Sequence, residues 1–465
     1  MRRELGVWLN GIRVGVWQVR PGAPDRLEYE PAWIASAIGR PLSLSLPYPP
    51  PGATLSGENV RGWFENLLPD SDAIRERIGR RFGVRANDTI GLLAEVGRDC
   101  VGAVQLLPVD APPPDVRQIT GTPLSQADVG ALLRRTPLPA SLAGNSREEL
   151  RISIAGAQEK TALLRHNGVW MRPTAATPTT HILKLPLGRV SAVGADFSLS
   201  VENEWVCLRL LAALGLPVAR AEIGHFPDDA GDTPITALIV ERFDRALRGM
   251  GTPDAWIARL PQEDCCQATG TPAARKYEDQ GGPGIERISA LLAGSVAPDV
   301  DRRTFLLAQL ACWLLAAPDG HAKNYSIALQ AGGAYRLTPL YDVMSAWPIV
   351  GSGARQWSAR RVTLAMGVRG THRRLRRGLR EIHPVHWYRL ATSSGVERMF
   401  DAMVAMVEAV PAALDAVAAD LPDAFPRGDV FEPIRDGMLG QCARVLRSLP
   451  HVGRTGDSSS NSARD

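Results

Sequence analysis

The sequence is short of sulfur and shorter still of paired sulfur. Six cysteines are spread through 465 residues, at positions 100, 207, 265, 266, 312 and 442, and no two are spaced C-x-x-C. That distribution argues against a disulfide framework and against a structural zinc module, and it fits reduced thiols in the cytoplasm. The adjacent pair Cys265-Cys266 cannot readily chelate one metal, and no histidine cluster lies near it. Charge of one sign is also lacking: the formal net charge is +4 with a pI near 8.8, which neither demands nor excludes nucleic acid. The apolar run from Leu306 to Ala317 is interrupted by Gln309 and is too short to span a bilayer. The N-terminus is basic but has no apolar core of signal-peptide length. No internal repeat, no G-x-x-x-x-G-K-[ST] loop and no G-x-G-x-x-G loop occurs. These features predict a soluble cytoplasmic protein without a membrane partner.

What is present is a globular composition, 45% hydrophobic and 22% charged, in a chain too long for one ordinary core. Leu5–Leu9, Asn10-Gly11 and Ile12–Val19 read as a β-hairpin. Helical patterns follow around Val60–Leu68 and Ser71–Phe82, the second with Ser71 as start signal and Gly83 as stop. Five prolines between Pro108 and Pro123 read as a linker. A serine-capped helix is expected over Ser125–Arg135, and helical spacing returns over Val396–Leu421 and Val430–Leu449. The Ser-, Gly- and Asn-rich tail from Gly453 is expected to be disordered. The division expected is residues 1–107, an accessory domain; 108–124, a linker; 125–245, an N-lobe; 246–450, a mostly helical C-lobe; and 451–465, the tail.

The segment with most chemistry is Pro318-Asp319-Gly320-His321-Ala322-Lys323-Asn324, followed by Asp342 in Leu340-Tyr341-Asp342-Val343-Met344. An Asp, an Asn five positions on and a second Asp downstream suit phosphoryl transfer. Asp319 can orient a hydroxyl and accept its proton, while Asn324 and Asp342 hold Mg²⁺. Upstream, Arg151 to Ala162 contains the small, polar stretch Ala155-Gly156-Ala157-Gln158-Glu159-Lys160, whose backbone N–H groups can approach a phosphate. Lys184 lies in an apolar strand, Thr180-His181-Ile182-Leu183-Lys184, where an ammonium needs a partner. Glu204, twenty residues on in a helical stretch, is preferred over Glu202 for that pairing. Ala237–Asp244 reads as a strand running into a hinge, with Glu241, Arg242 and Phe243 placed to bind adenine through backbone groups. The segments Gln262–Gln267 and Tyr277–Gly284 carry no chemistry by themselves; the second reads as a turn before a helix over Ile285–Leu292. Six arginines between 369 and 380 are a candidate phosphate or acidic-partner surface, with a solvated helix face as the commoner explanation.

The order of these parts is that of a two-lobed protein kinase: small-residue loop, strand lysine, helix glutamate, hinge, catalytic Asp and Asn, metal Asp. The strings Ala-Gly-Ala-Gln-Glu-Lys at 155–160 and Asp-Gly-His-Ala-Lys-Asn at 319–324 carry a closer likeness, with His181–Pro186, Glu202–Glu204, Glu241–Asp244, Glu263–Gln267 and Leu340–Val343. In these the chain resembles the HipA-like serine/threonine kinases, toxins of type II toxin–antitoxin modules. The resemblance implies an α+β, two-lobed protein-kinase-like fold with a small N-terminal α+β accessory domain and a helical C-terminal lobe. It implies ATP and Mg²⁺ as cofactors, Asp319 as base, Asn324 and Asp342 as metal ligands, and Lys184, Ala155–Lys160, Glu241–Phe243 and His321 around the nucleotide. Ser153 would be an autophosphorylation site that switches the kinase off, because a dianion among phosphate-binding amides competes with ATP. The implied partners are a protein substrate, with aminoacyl-tRNA synthetases among those of the family, a small helix-turn-helix antitoxin, and operator DNA through the antitoxin complex. Two other functions stay open at this stage: an antitoxin-binding corepressor with little kinase activity, and a small-molecule kinase on the same fold. The region from Gly351 to Arg380 matches nothing in the family pattern.

Overall fold

The computed structural model describes residues 3–136, 158, 160–190, 194–227, 233–252, 254–353, 356–369 and 374–452. Contacts divide the chain into two compact units. The first comprises Met1–Pro186, Ala219–Lys276 and Ser326–Thr338; the second comprises Leu187–Val218, Tyr277–Tyr325 and Pro339–Asp465.

Within the first unit, the N-terminal hairpin forms as its sequence requires. Strands Arg3–Leu9 and Ile12–Val19 pair antiparallel, with Leu9 opposite Ile12. Asn10 and Gly11 both take positive φ, 47° and 85°, the pair of values that lets a two-residue turn follow the strand twist. Three more strands complete an antiparallel sheet in the order Leu55–Ser56, Arg26–Tyr29, Ile12–Val19, Arg3–Leu9, Val104–Pro108. Helices Glu58–Glu65, Asp72–Phe82 and Thr89–Val96 share a core with it in which Trp17, Phe64, Leu92, Leu93 and Leu106 are fully buried. Trp17 stacks on Phe64 with ring centroids 4.0 Å apart. The Asp72–Phe82 helix has the expected ends: the Ser71 hydroxyl accepts from the Ile74 N–H, and Gly83 closes the helix in the left-handed region.

A second antiparallel sheet of six strands lies in the same unit, ordered Ala221–Phe226, Ile235–Glu241, His181–Lys184, Lys160–His166, Val169–Pro173, Gly121–Leu124. Its last strand takes up the end of the proline-rich stretch. Gly121–Leu124 pairs with Val169–Pro173, and Pro123 is tolerated there because an edge strand need not use every N–H. Helix Gln126–Arg135, closed by a Ser125/Asp128 capping box, buries Val129 and Leu133 against Phe226 and Trp170 of this sheet.

The second unit is mainly helical: Ser200–Ala213, Ile285–Leu292, Pro298–Leu314, Pro384–Ser393, Met399–Ala419 and Glu432–Val452. Met399–Ala419 is long and apolar enough to cross a membrane by length and composition. Met399, Met403, Met406, Val410, Ala413, Leu414 and Val417 nevertheless form one buried stripe at helical spacing, as in a core helix. Among the described residues the arginine run is not a helix face. Thr363–Arg369 and Leu375–Gly378 pair as antiparallel strands, and three of the arginines face acids: Arg369 with Glu286, Arg376 with Glu381 at 3.9 Å and Arg377 with Asp279 at 3.9 Å.

Candidate active site

In the second unit, helix Pro298–Leu314 stops at a left-handed residue, Ala316, with φ 49°. The chain is caught there by Ala317 N–H donating to the Cys312 carbonyl at 2.7 Å and Ala346 N–H donating to Ala316 at 3.0 Å. Asp319 follows at once. His321 N–H donates to the Asp319 carbonyl at 2.7 Å and Asn324 N–H to the His321 carbonyl at 2.9 Å, which folds the segment into a tight turn. The Asn324 side chain closes that turn: its Nδ2 donates to the Asp319 carbonyl at 2.7 Å. The amide nitrogen is thereby committed, and the amide oxygen is the atom left to coordinate.

Asp342 arrives from a different direction. Leu340 bridges in parallel to Val218 and its N–H donates to Pro217 at 2.8 Å. Asp342 itself holds φ 59°, an uncommon conformation for a residue with a Cβ and one that marks functional segments. Two side chains hold the flanks. Tyr341 Oη donates to the Lys323 carbonyl at 2.9 Å. Asn203, almost fully buried, grips Ser345 by both backbone groups, donating to its carbonyl at 2.8 Å and accepting from its N–H at 2.8 Å. Asp319, Gly320, Asn324, Tyr325, Tyr341 and Asp342 thus line one pocket, backed by Leu211, Ala308 and Cys312. The expected base and both expected metal ligands come together within a single unit.

Two residues of this site were not found from the sequence. Tyr277 Oη donates to Asp319 Oδ1 at 2.6 Å, although the Tyr277 segment reads as a turn without chemistry. Asn203 sits between Glu202 and Glu204, and its uncharged carboxamide gives no signal beside two acids. His321 is buried edge-on against the Tyr277 ring, centroids 5.0 Å apart, with its Nε2 3.8 Å from Asp319 Oδ1.

The other expected residues lie in the first unit, except Glu204. Lys160 and Lys184 are direct cross-strand partners in the six-stranded sheet, and Gln158 Nε2 donates to the Leu185 carbonyl at 2.6 Å. Lys184 is 6% exposed. Ser153, Ala155, Gly156, Ala157 and Glu159 lie outside the described residues. Glu204 is buried on helix Ser200–Ala213 of the second unit. In the segment expected to be a hinge, Glu241 N–H donates to the Arg220 carbonyl at 2.9 Å and Arg242 N–H to the Thr180 carbonyl at 2.8 Å. The Arg242 side chain is turned into the protein, bidentate to Asp244 at 3.0 and 2.8 Å. It has no guanidinium to offer a nucleotide, so any contact there is through main chain.

Asp244 and Asp99 hold Arg242, Arg245 and Arg259 in a buried ion network. Despite burial, the arginines keep both carboxyls below the usual carboxylate range. Burial pushes Arg259 down to about 10. The Glu263–Gln267 segment is structural too. Leu44 N–H and Trp63 Nε1 donate to the two Glu263 oxygens at 2.9 and 3.2 Å, and Gln267 Nε2 donates to the Trp63 carbonyl at 3.1 Å. Complete burial raises the Glu263 carboxyl to about 8.

Among the described residues no group of three or more His, Cys, Asp or Glu side chains could hold a metal ion. Asn324 with Asp342 is a smaller set, one amide and one carboxylate. It suits Mg²⁺, which takes few protein ligands and completes its octahedron with phosphates and water.

Comparison with known proteins agrees with this architecture. Residues 5–107 match the HipA N-terminal domain and residues 152–415 the HipA-like C-terminal domain. Sinorhizobium fredii Y4mE, which carries a kinase name, is 35% identical over 369 residues, 78% of this chain and 82% of its own. The serine/threonine-protein kinase toxin HipA of Shewanella oneidensis is 27% identical over 332 residues, 69% of each chain. A solved complex of Shewanella oneidensis HipA with HipB and its operator DNA has the same fold as this chain. The TM-score is 0.76 at 23% identity, over 96% of this chain and 99% of that one. The fold is the α+β, two-lobed kinase-like one that the sequence implies, and the chain belongs to the HipA family.

Proposed function

We propose that this protein is an ATP- and Mg²⁺-dependent protein serine/threonine kinase and the toxin of a type II toxin–antitoxin module. The observation that carries the reading is the meeting of Asp319, Asn324 and Asp342 on one pocket. Bound Mg·ATP would supply the transferable phosphoryl group and neutralise charge as it moves. Asp319 orients the acceptor hydroxyl and takes its proton. The Asn324 amide oxygen and the Asp342 carboxylate hold the metal. Lys160 and Lys184 take the phosphates with the 155–160 loop, Glu204 pairs with Lys184, and His321 borders the cofactor. Main-chain groups of Glu241, Arg242 and Phe243 hold the adenine. Phosphorylation of Ser153 switches the enzyme off by placing a dianion in the loop that receives phosphate. The division into residues 1–107, 108–124, 125–245, 246–450 and 451–465 belongs to the same reading.

The acceptor is a host protein, with an aminoacyl-tRNA synthetase as the first candidate to try. The partners are a small helix-turn-helix antitoxin and, through it, operator DNA, by analogy with the Shewanella complex of HipA, HipB and operator. The test is incubation with Mg²⁺ and radiolabelled ATP, comparing wild type, Asp319→Ala and Ser153→Ala. Wild type should label protein and Asp319→Ala should not; no transfer from wild type to itself or to host proteins overturns the reading. Persistent self-labelling of Ser153→Ala overturns the switch.

A further inference from the structure

Asp319 stands on a loop with its side chain 54% exposed. A carboxylate in that position turns freely unless something holds it, and a general base must be held. Tyr277 supplies the hold. Its hydroxyl lies 2.6 Å from Asp319 Oδ1, within the range of a charge-assisted O–H···O⁻ bond. His321 approaches the same oxygen from the protein side. Among the described residues no hydrogen bond reaches Oδ2, so one oxygen is anchored and the other is left for a hydroxyl.

Tyr277 is in turn fixed from behind. Glu278, the next residue, accepts the Gly367 N–H at 2.6 Å. Its carboxylate packs so closely on Gly284 that a Cβ there would lie 1.8 Å from Glu278 Oε1. Gly281, at φ 88°, turns the chain back after the short helix Glu278–Gln280. Asp279 and Glu286 meet Arg377 and Arg369 of the hairpin formed by Thr363–Arg369 and Leu375–Gly378. The acidic turn and the basic hairpin therefore touch at three points, and the free end of the turn is the tyrosine on Asp319.

We propose that Tyr277 is a positioning residue for Asp319, set in place by the arginine-bearing hairpin through Glu278; the inference rests on the kinase reading of Asp319. The test is steady-state phosphoryl transfer by the full chain for Tyr277→Phe, Glu278→Gln, the double variant and Asp319→Ala. Tyr277→Phe keeps the ring against His321 and removes only the hydroxyl. Its kcat should fall about tenfold while KM for ATP moves less than about twofold, as expected when orientation is lost and binding is kept. A merely structural role would instead lower active enzyme and melting temperature together. Glu278→Gln should lower kcat in the wild-type background and add nothing to Tyr277→Phe. An unchanged kcat in Tyr277→Phe, with Asp319→Ala inactive, overturns the inference and spares the kinase reading. An unchanged kcat in Glu278→Gln, or full additivity, overturns the role of the hairpin. An active Asp319→Ala removes the kinase reading and the inference with it. Should Tyr277→Phe fail to fold, Glu278→Gln carries the test, because it leaves the tyrosine itself intact.

Discussion

Lys160 and Lys184 lie directly opposite each other on adjacent antiparallel strands, so their side chains leave the same face of the sheet. Lys184 is on an interior strand, with Leu238 of Ile235–Glu241 as its neighbour on the other side. Two like charges in register cost stability in a bare sheet. The arrangement is suited to a ligand carrying several negative charges within a few ångströms, as a polyphosphate does. Lys160 is the last residue of the 155–160 string, and the register places it beside the strand lysine.

Removing either lysine should therefore weaken nucleotide binding, and unequally. Lys184→Ala, on the buried member, should raise the Kd for ATP by about 10- to 100-fold, the range expected for a lost hydrogen bond to a charged group. Lys160→Ala, on the half-buried one at the strand end, should cost less. Fluorescence titration with ATP at fixed ionic strength measures both; an unchanged Kd in Lys184→Ala refutes the assignment.

Metal dependence should separate Asn324 and Asp342 from Asp319. Asn324→Ala and Asp342→Ala remove donor atoms, so each should raise the Mg²⁺ concentration for half-maximal activity by at least about tenfold, the loss that even an outer-sphere change produces. Asp319→Asn should lower kcat at every Mg²⁺ concentration without moving the midpoint. A Mg²⁺ titration of activity tells the two behaviours apart, and a shifted midpoint in Asp319→Asn would contradict the division of labour.

Much of this was legible because local signals agree with the fold. The Asn10-Gly11 turn, the Ser71 and Ser125 caps and the Asp319…Asn324…Asp342 spacing each need only a few neighbouring residues. What escaped depends on contacts made across long stretches of chain. Tyr277 reaches Asp319 over 42 residues, and nothing within its own turn marks it. The arginine run hid a hairpin because arginine is a good helix former, and its charge suggested a solvated helix face. Arg242 could be placed at a strand end from its neighbours, but its buried side chain depends on Asp99, 143 residues away.

Glu263 gives the molecule a pH dependence of its own. Its carboxyl titrates at about 8 in the folded protein against an ordinary value of 4.5. Below 4.5 the group is protonated in both states and its ionisation costs folding nothing. As pH rises from 4.5 towards 8 the unfolded chain ionises and the folded one does not, so stability falls across that window and levels off above it. The effect is of the order of a few kcal/mol. Thermal melts between pH 5 and 8 should show wild type losing stability relative to Glu263→Gln as pH rises; parallel curves would dispose of the idea.

The largest single loss of stability should follow the smallest change in the ion network. Asp99 Oδ2 accepts from Thr179 N–H at 3.0 Å and Thr179 Oγ1 at 2.7 Å, while Oδ1 accepts from Arg245 at 2.9 Å and Arg259 at 3.2 Å. Arg242 adds a further contact at 3.3 Å. Asp99→Asn keeps the shape but leaves three buried guanidinium groups facing one carboxylate, Asp244. Breaking a buried pair in this way costs about 3–5 kcal/mol, because the remaining charge stays desolvated. Asp99 follows the N-terminal helix Thr89–Val96, whereas Thr179 and Arg242 border the six-stranded sheet, so the network also joins the two sheets of the first unit. Denaturant unfolding of Asp99→Asn should accordingly show an early transition, followed by near-ultraviolet circular dichroism of the tryptophan-rich N-terminal core. Charge is the cause only if Asp99→Glu restores part of the loss. Wild-type unfolding of Asp99→Asn would mean that neither the charge of Asp99 nor its second acceptor oxygen holds this junction.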